Sequence, residues 1–95
     1  MPQRVVRLQD RSGKELGWAI ECPACACAHR FDTRWRFNGV LELPTFEPSL
    51  ITRRVNANGV EIVCHSAVID GKIQFLLDST HEMAGLVIVL PEVLR

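Results

Sequence analysis

The fold is decided by residues 60–77, which read VEIVCHSAVIDGKIQFLL. Asp70-Gly71 separates two apolar stretches, and an Asp-Gly pair favours the two-residue turn of a β-hairpin because both residues tolerate positive φ. Such a turn pairs Val68 with Ile73 across the hairpin. Because side chains alternate along a strand, one face then carries the residues that we expect to be buried: Val60, Ile62, Cys64, Ser66, Val68, Ile73, Phe75 and Leu77.

The rest of the chain is also divided by turns into short segments rich in Val, Ile, Phe and Trp. Apolar and polar residues alternate over His29–Phe37, which predicts one continuous strand with a buried aromatic face. Leu86–Leu90 is apolar on both faces and predicts a central strand. Prolines 44 and 48 predict an extended loop or an edge segment over Leu43–Ser49. Residues 79–85 are expected to form at most one short helical turn. The fold class is therefore mainly β, with small antiparallel sheets or hairpins.

Composition sets the size and the broad class of the protein. The 95 residues predict one domain over 1–95, and 47% hydrophobic with 23% charged residues is typical of a globular chain. Eleven basic residues balance eleven acidic ones, which makes nucleic acid an improbable ligand. The chain has no apolar run long enough to span a membrane and no hydrophobic stretch of a signal peptide near residue 1. We therefore expect a cytoplasmic protein in a bacterial cell, without a membrane partner.

The cysteines and histidines point to a metal site. Cys22-Pro-Ala-Cys25 is a C-x-x-C segment after an apolar strand, the arrangement of a zinc-ribbon-like knuckle. Cys64 lies on the predicted core face of the hairpin, and His81 follows in the next polar turn. Cysteines in a reducing cytoplasm favour metal binding over disulfides, and thiolates with imidazole favour zinc. We predict one Zn²⁺ ion held by Cys22, Cys25, Cys64 and His81.

Three other residues are alternative ligands or supporting groups. His65 competes with Cys64 and His81, although neighbours on a regular strand point to opposite faces. His29 is a weaker alternative because four residues of extended chain would separate it from Cys25 by roughly 13 Å. Asp78 is expected to orient a ligating histidine from outside the coordination shell.

Six short motifs extend from about Trp18 to Pro91: Cys22-Pro-Ala-Cys25 with His29, Trp35-x-Phe37-Asn38-Gly39, Pro44-Thr45-Phe46-x-Pro48-Ser49, Cys64-His65-Ser66, Asp70-Gly71-Lys72-Ile73-Gln74-Phe75-Leu76 and Asp78-x-x-His81-x-x-Ala84-Gly85. Together they resemble an uncharacterised family of small proteins encoded mainly in tailed phages and prophages, whose members are sometimes labelled ammonia monooxygenase. The resemblance implies a role inside an infected or lysogenic bacterial cell and does not choose among the ligand sets.

Two functions follow from these observations. The first is a zinc-stabilised β protein that acts as a binding or regulatory module on a host or phage protein. The alternative is a small metal-dependent hydrolase that uses the polar turn over residues 78–82. The small size of the chain, without an obvious second catalytic cluster, favours the binding module.

Overall fold

The computed structural model describes residues 2–93 and contains eight β-strands in this part of the chain. The strands form two antiparallel sheets, one of three strands in the order β1-β2-β3 and one of five in the order β4-β5-β6-β7-β8. No helix lies within these residues, and none that could cross a membrane is present there. The strands are β1 (Val6–Gln9), β2 (Glu15–Cys22), β3 (Cys27–Asp32), β4 (Arg36–Phe37), β5 (Phe46–Val55), β6 (Glu61–Ile69), β7 (Lys72–Phe75) and β8 (Val87–Val89). The predicted mainly β fold class is confirmed.

The β6–β7 hairpin forms in the predicted register. Val68 lies opposite Ile73, and Asp70 and Gly71 have φ values of 50° and 77° in the turn. Within the two strands, the face predicted to be buried is buried at Cys64, Ser66, Val68, Ile73 and Phe75. At the two ends of the stretch the prediction was wrong, because Val60 is 57% exposed and Leu77 is 85% exposed. Both residues lie outside the strands, where the chain leaves the sheet.

The predicted continuous strand over His29–Phe37 is interrupted. Strand β3 ends at Asp32, whose carboxylate accepts hydrogen bonds from the backbone N–H of Arg34 and from its guanidinium. The C=O of Asp32 accepts a further bond from the N–H of Trp35 at 3.1 Å. This turn, capped by an Asp side chain, competes with continued strand pairing. It passes the chain from the three-stranded sheet to the five-stranded one, where β4 begins.

The last strand lies at an edge and not in the centre of the sheet. Among residues 2–93, strand β8 pairs only with β7, and Val87 and Val89 are more than half exposed on its outer face. Their apolar character therefore reflects an uncovered part of the sheet rather than burial between two neighbours. Residues 79–85, where at most one helical turn was expected, form bends and turns.

The two sheets share one core, built around aromatic rings. Phe46 of β5 stacks on Phe31 of β3 with ring centroids 4.2 Å apart and on Phe37 of β4 at 4.8 Å. Trp18 of β2 packs against Phe46 at 5.6 Å. Phe46 therefore joins residues of both sheets, and its side chain is almost fully buried.

Strands β5 and β6 pair regularly except at one point near the start of β5. Phe46 lies opposite Val68 and Leu50 opposite Ser66, so the three residues 47–49 of β5 face one residue of β6. Pro48 has no N–H to donate, which suits this bulge. The segment predicted as an extended loop or edge, Leu43–Ser49, therefore enters the sheet through a bulge that presents Ser49.

We predict that Phe46→Ala lowers the free energy of unfolding by about 3–5 kcal/mol, because it opens a cavity between the sheets. Urea unfolding followed by tryptophan fluorescence measures this change. Val60→Ala, at an exposed position, serves as the control and is expected to change stability by less than about 0.5 kcal/mol. Equal effects of the two substitutions would contradict the position of Phe46 in the shared core.

Candidate functional site

The C-x-x-C segment forms a tight turn between β2 and β3. Cys22 is the last residue of β2, and the N–H of Ala26 donates to its C=O at 3.0 Å. Ala26 has a φ of 53°, which turns the chain back into β3. The backbone N–H of Cys25 helps to lower the pKa of the Cys22 thiol. This arrangement brings both thiols to one side of the turn.

His29 approaches the thiols because β3 runs back along β2. It lies opposite Ile20, two residues before Cys22 on the same face of β2, and its side chain is buried. The separation of roughly 13 Å expected for an extended chain is wrong, because the turn over residues 23–26 reverses the chain between Cys25 and His29. The His29 Nε2 atom is buried without a hydrogen-bond partner, as expected of a group near a ligand site.

Cys64 reaches the same point from the other sheet. Its sulfur lies 4.0 Å from that of Cys22, and all four cysteines of the chain are free thiols. One donor atom from each of Cys22, Cys25, His29 and Cys64 lies within 4.8 Å of the other three. In tetrahedral zinc sites with bonds of about 2.3 Å, sulfur atoms lie roughly 3.8 Å apart. The four residues are therefore close enough together to bind a metal ion after small adjustments.

Proton sharing among the thiols favours one thiolate within the cluster. Hydrogen bonding from the Cys64 thiol, with a smaller contribution from His29, lowers the pKa of Cys22 to about 3. Burial raises the pKa of Cys25 to about 11, and donation to Cys22 raises the pKa of Cys64. A bound cation would stabilise the charged form of each sulfur, so metal binding releases protons.

His81 lies outside this group of four. Its ring packs edge-on against Phe75 with centroids 4.8 Å apart, and Nδ1 accepts the N–H of Met83 at 3.2 Å. The structure thus brings together three of the four predicted ligands, and the fourth member of the group is His29. Cys27, at the start of β3, is exposed.

The other two residues named as alternatives, His65 and Asp78, meet at a different site. The Nδ1–H of His65 donates to the two carboxylate oxygens of Asp78 at 2.9 and 3.0 Å. On the other side of the ring, the Ser49 hydroxyl lies 3.0 Å from Nε2 and can donate to it. Because the Asp78 carboxylate accepts a hydrogen bond, the ring proton lies on Nδ1, and the lone pair of Nε2 faces the Ser49 hydroxyl. Ser49, His65 and Asp78 therefore form a hydrogen-bonded chain of hydroxyl, imidazole and carboxylate.

Local backbone features place these three side chains. The bulge over residues 47–49 presents Ser49 beside His65, whose cross-strand partner is Ile51. The buried Ser79 hydroxyl accepts the N–H of His65 and donates to its C=O, both at 3.0 Å. These bonds replace part of the regular ladder between β6 and the segment after β7. They allow Asp78, the residue before Ser79, to extend toward the imidazole ring of His65.

Sequence reasoning identified His65 and Asp78 but missed Ser49 and the contact among the three. Ser49 was named as the end of an extended segment and of the Pro44–Ser49 motif, without a catalytic role, and no spacing along the chain relates it to residues 65 and 78. The usable signal was Pro48 immediately before Ser49, since a proline inside a paired strand indicates a bulge that redirects its neighbour.

The fold and the two sites define the class of this protein. It is a small all-β protein with a cysteine–histidine cluster and a hydrogen-bonded set of serine, histidine and aspartate side chains. The model of one protein family, described as bacterial ubiquitination-like system serine protease (BubE), matches residues 1–76. The chain belongs to this family. No curated protein and no solved structure matches the chain. The phage or prophage origin expected from the motifs stays a prediction.

We predict that His29→Ala lowers the bound metal well below one equivalent, because it removes one donor from the group of four. His81→Ala is the matched control and is expected to keep the metal, since its ring lies outside that group. Elemental analysis and the thiolate absorption of the cobalt-substituted protein measure both effects. Metal loss in His81→Ala with retention in His29→Ala would contradict the assignment and restore the ligand set favoured by the sequence.

Proposed function

We propose that this chain is a serine protease in which Ser49 is the nucleophile, His65 the general base and Asp78 the group that orients the base. The observation that carries the proposal is the pair of contacts at His65, 3.0 Å to the Ser49 hydroxyl and 2.9 Å to the Asp78 carboxylate. The description of the family supports it. We further propose that the substrates are proteins of a bacterial ubiquitination-like system.

The contacts define the steps of the reaction. Ser49 Oγ attacks the carbonyl carbon of the scissile bond while its proton passes to His65 Nε2. The Asp78 carboxylate stabilises the imidazolium that forms, and Nε2 then gives the proton to the leaving amine. Water, deprotonated by His65 Nε2, then attacks the acyl carbon; the bond to Ser49 Oγ breaks, Nε2 returns the proton to Oγ, and the acid is released. Every proton in this sequence moves through one nitrogen atom.

Ser79 is proposed to keep His65 in position. Its hydroxyl binds both backbone groups of His65 and lies one residue from Asp78. Loss of either bond would shift the imidazole relative to the carboxylate, and small misplacements of this kind reduce catalytic rates strongly.

We propose that the metal is one zinc ion held by Cys22, Cys25, His29 and Cys64 and that its role is structural. Four protein ligands leave no open position for water or substrate, as in other structural zinc sites. The ion would tie the β2–β3 turn to β6. In this proposal the hydrolase alternative drawn from the sequence keeps the turn over residues 78–82 but uses a serine nucleophile in place of a metal-bound water.

The binding or regulatory role on a host or phage protein, which the sequence favoured, stays a prediction. A binding module of this kind needs only the fold stabilised by zinc. It gives no reason for a serine hydroxyl, an imidazole and a carboxylate to be aligned on an open face of the sheet, whereas a protease requires that alignment.

A fluorophosphonate probe tests the nucleophile, because it reacts with an activated serine without requiring the natural substrate. We expect the adduct, located by mass spectrometry, on Ser49, with no labelling of Ser49→Ala. Asp78→Asn is expected to slow labelling by at least about 100-fold, since the imidazole loses its orienting carboxylate. Ser12→Ala, in an exposed turn, serves as the control and is expected to react like the wild type.

Two results would contradict the proposal. One is a folded, metal-loaded wild-type chain that takes no label. The other is an adduct on a serine other than Ser49, or labelling that is insensitive to both Ser49→Ala and Asp78→Asn.

A further inference from the structure

In the described part of the chain, one side of β5 has no strand beside it for most of its length. Strand β4 pairs with β5 only at residues 46 and 47, and β6 occupies the opposite side of β5. From Ser49 to Val55, no backbone group within residues 2–93 bonds to that free side. The free edge of β5, residues 49–55, therefore begins at the proposed nucleophile.

Hydrogen bonds at both ends of β6 show which residues of β5 face this edge. Asn56 donates its N–H to the C=O of Val60, so these two residues form a hydrogen-bonded pair. Hydrogen-bonded pairs recur at every second position of an antiparallel ladder, so Thr52 and Cys64 also form such a pair between β5 and β6. Val63 and His65 bond in the other direction, toward residues 76–80. The N–H and C=O groups of Ile51, Arg53 and Val55 consequently point to the open edge.

We propose that an extended segment of the substrate polypeptide binds as an additional strand along the free edge of β5, with its scissile carbonyl beside Ser49. This inference rests on the proposed function and names the form in which the substrate is bound. Donors and acceptors that repeat every two residues, at about 6.8 Å, match the backbone of another extended chain and no small ester or sugar.

The end of the edge at Ser49 limits where such a segment can lie. Trp35 Nε1 donates to the C=O of Pro48 at 3.0 Å, so the edge is closed immediately before Ser49. Beside this contact, Arg34, Trp35 and Pro48 line a cleft of 150 Å³. That volume suits one side chain rather than a whole ligand. The added strand would thus run over Ile51 and Arg53, reach Ser49, and place one side chain in this cleft.

Proline substitution at the edge tests the inference, because proline removes an outward N–H without breaking the ladder to β6. Ile51→Pro is the test variant, and Arg53→Pro is the second if the first does not fold. Val89→Pro is the matched control: Val89 lies on the outer edge strand of the same sheet, where the Leu90 N–H bonds to Gly71 and leaves the Val89 N–H outward. Tm, metal content and fluorophosphonate labelling of Ser49 establish that each variant is folded with an assembled triad.

The probe is a library of random decapeptides, with cleavage followed by mass spectrometry. We expect Ile51→Pro to lower kcat/KM by about tenfold or more, as the loss of backbone pairing to the substrate requires, and Val89→Pro to match the wild type. Cleavage by a folded, labelled Ile51→Pro or Arg53→Pro chain at the wild-type rate would overturn the inference.

Other outcomes separate this inference from the proposed function. A wild-type chain that takes the fluorophosphonate but cleaves no decapeptide would overturn edge binding and leave the triad standing, whereas a chain that takes no label would remove the proposed function itself. Sedimentation of the Ser49→Ala chain, with and without the added Ile51→Pro substitution, tests a further outcome. A dimer that Ile51→Pro disrupts would show that a second copy of the chain covers the edge, which also overturns the inference.

Discussion

The alternation of side chains along β6 is the constraint on which both sites depend. Cys64 points into the core toward Cys22, and its neighbour His65 points to the outer face toward Ser49 and Asp78. One peptide bond therefore joins a member of the cysteine–histidine cluster to the imidazole of the triad. Because a shift of one residue would exchange the two faces, the register of β6 fixes both sites at once.

The cluster also joins the two sheets. Three of its members, Cys22, Cys25 and His29, belong to the β2–β3 hairpin, while Cys64 belongs to the five-stranded sheet. Domains of this size have a stability of about 5–15 kcal/mol, and a structural zinc contributes an apparent 10–16 kcal/mol in small domains, roughly the same amount. An ion at this point would hold β6 against the smaller sheet. It would thereby support, from the core side of β6, the position of His65.

The sequence predicted the parts of the structure that depend on local chemistry. The Asp70-Gly71 turn fixed the β6–β7 register, and the C-x-x-C segment marked the knuckle, because each signal lies within a few residues. His29 was underrated because a straight strand was assumed where a turn at Ala26 reverses the chain. Ser49 was missed because its position depends on a bulge opposite another strand. The edge position of β8 was missed because strand order leaves no mark in an apolar run.

The most direct test of this account compares Ser49 labelling in metal-loaded and metal-stripped protein. If the ion supports the strand that carries His65, removal of the metal with a chelator abolishes labelling by a fluorophosphonate, and one equivalent of zinc restores it. Labelling at the same rate in the metal-free protein would contradict the account, because the triad would then stand without the cluster behind it.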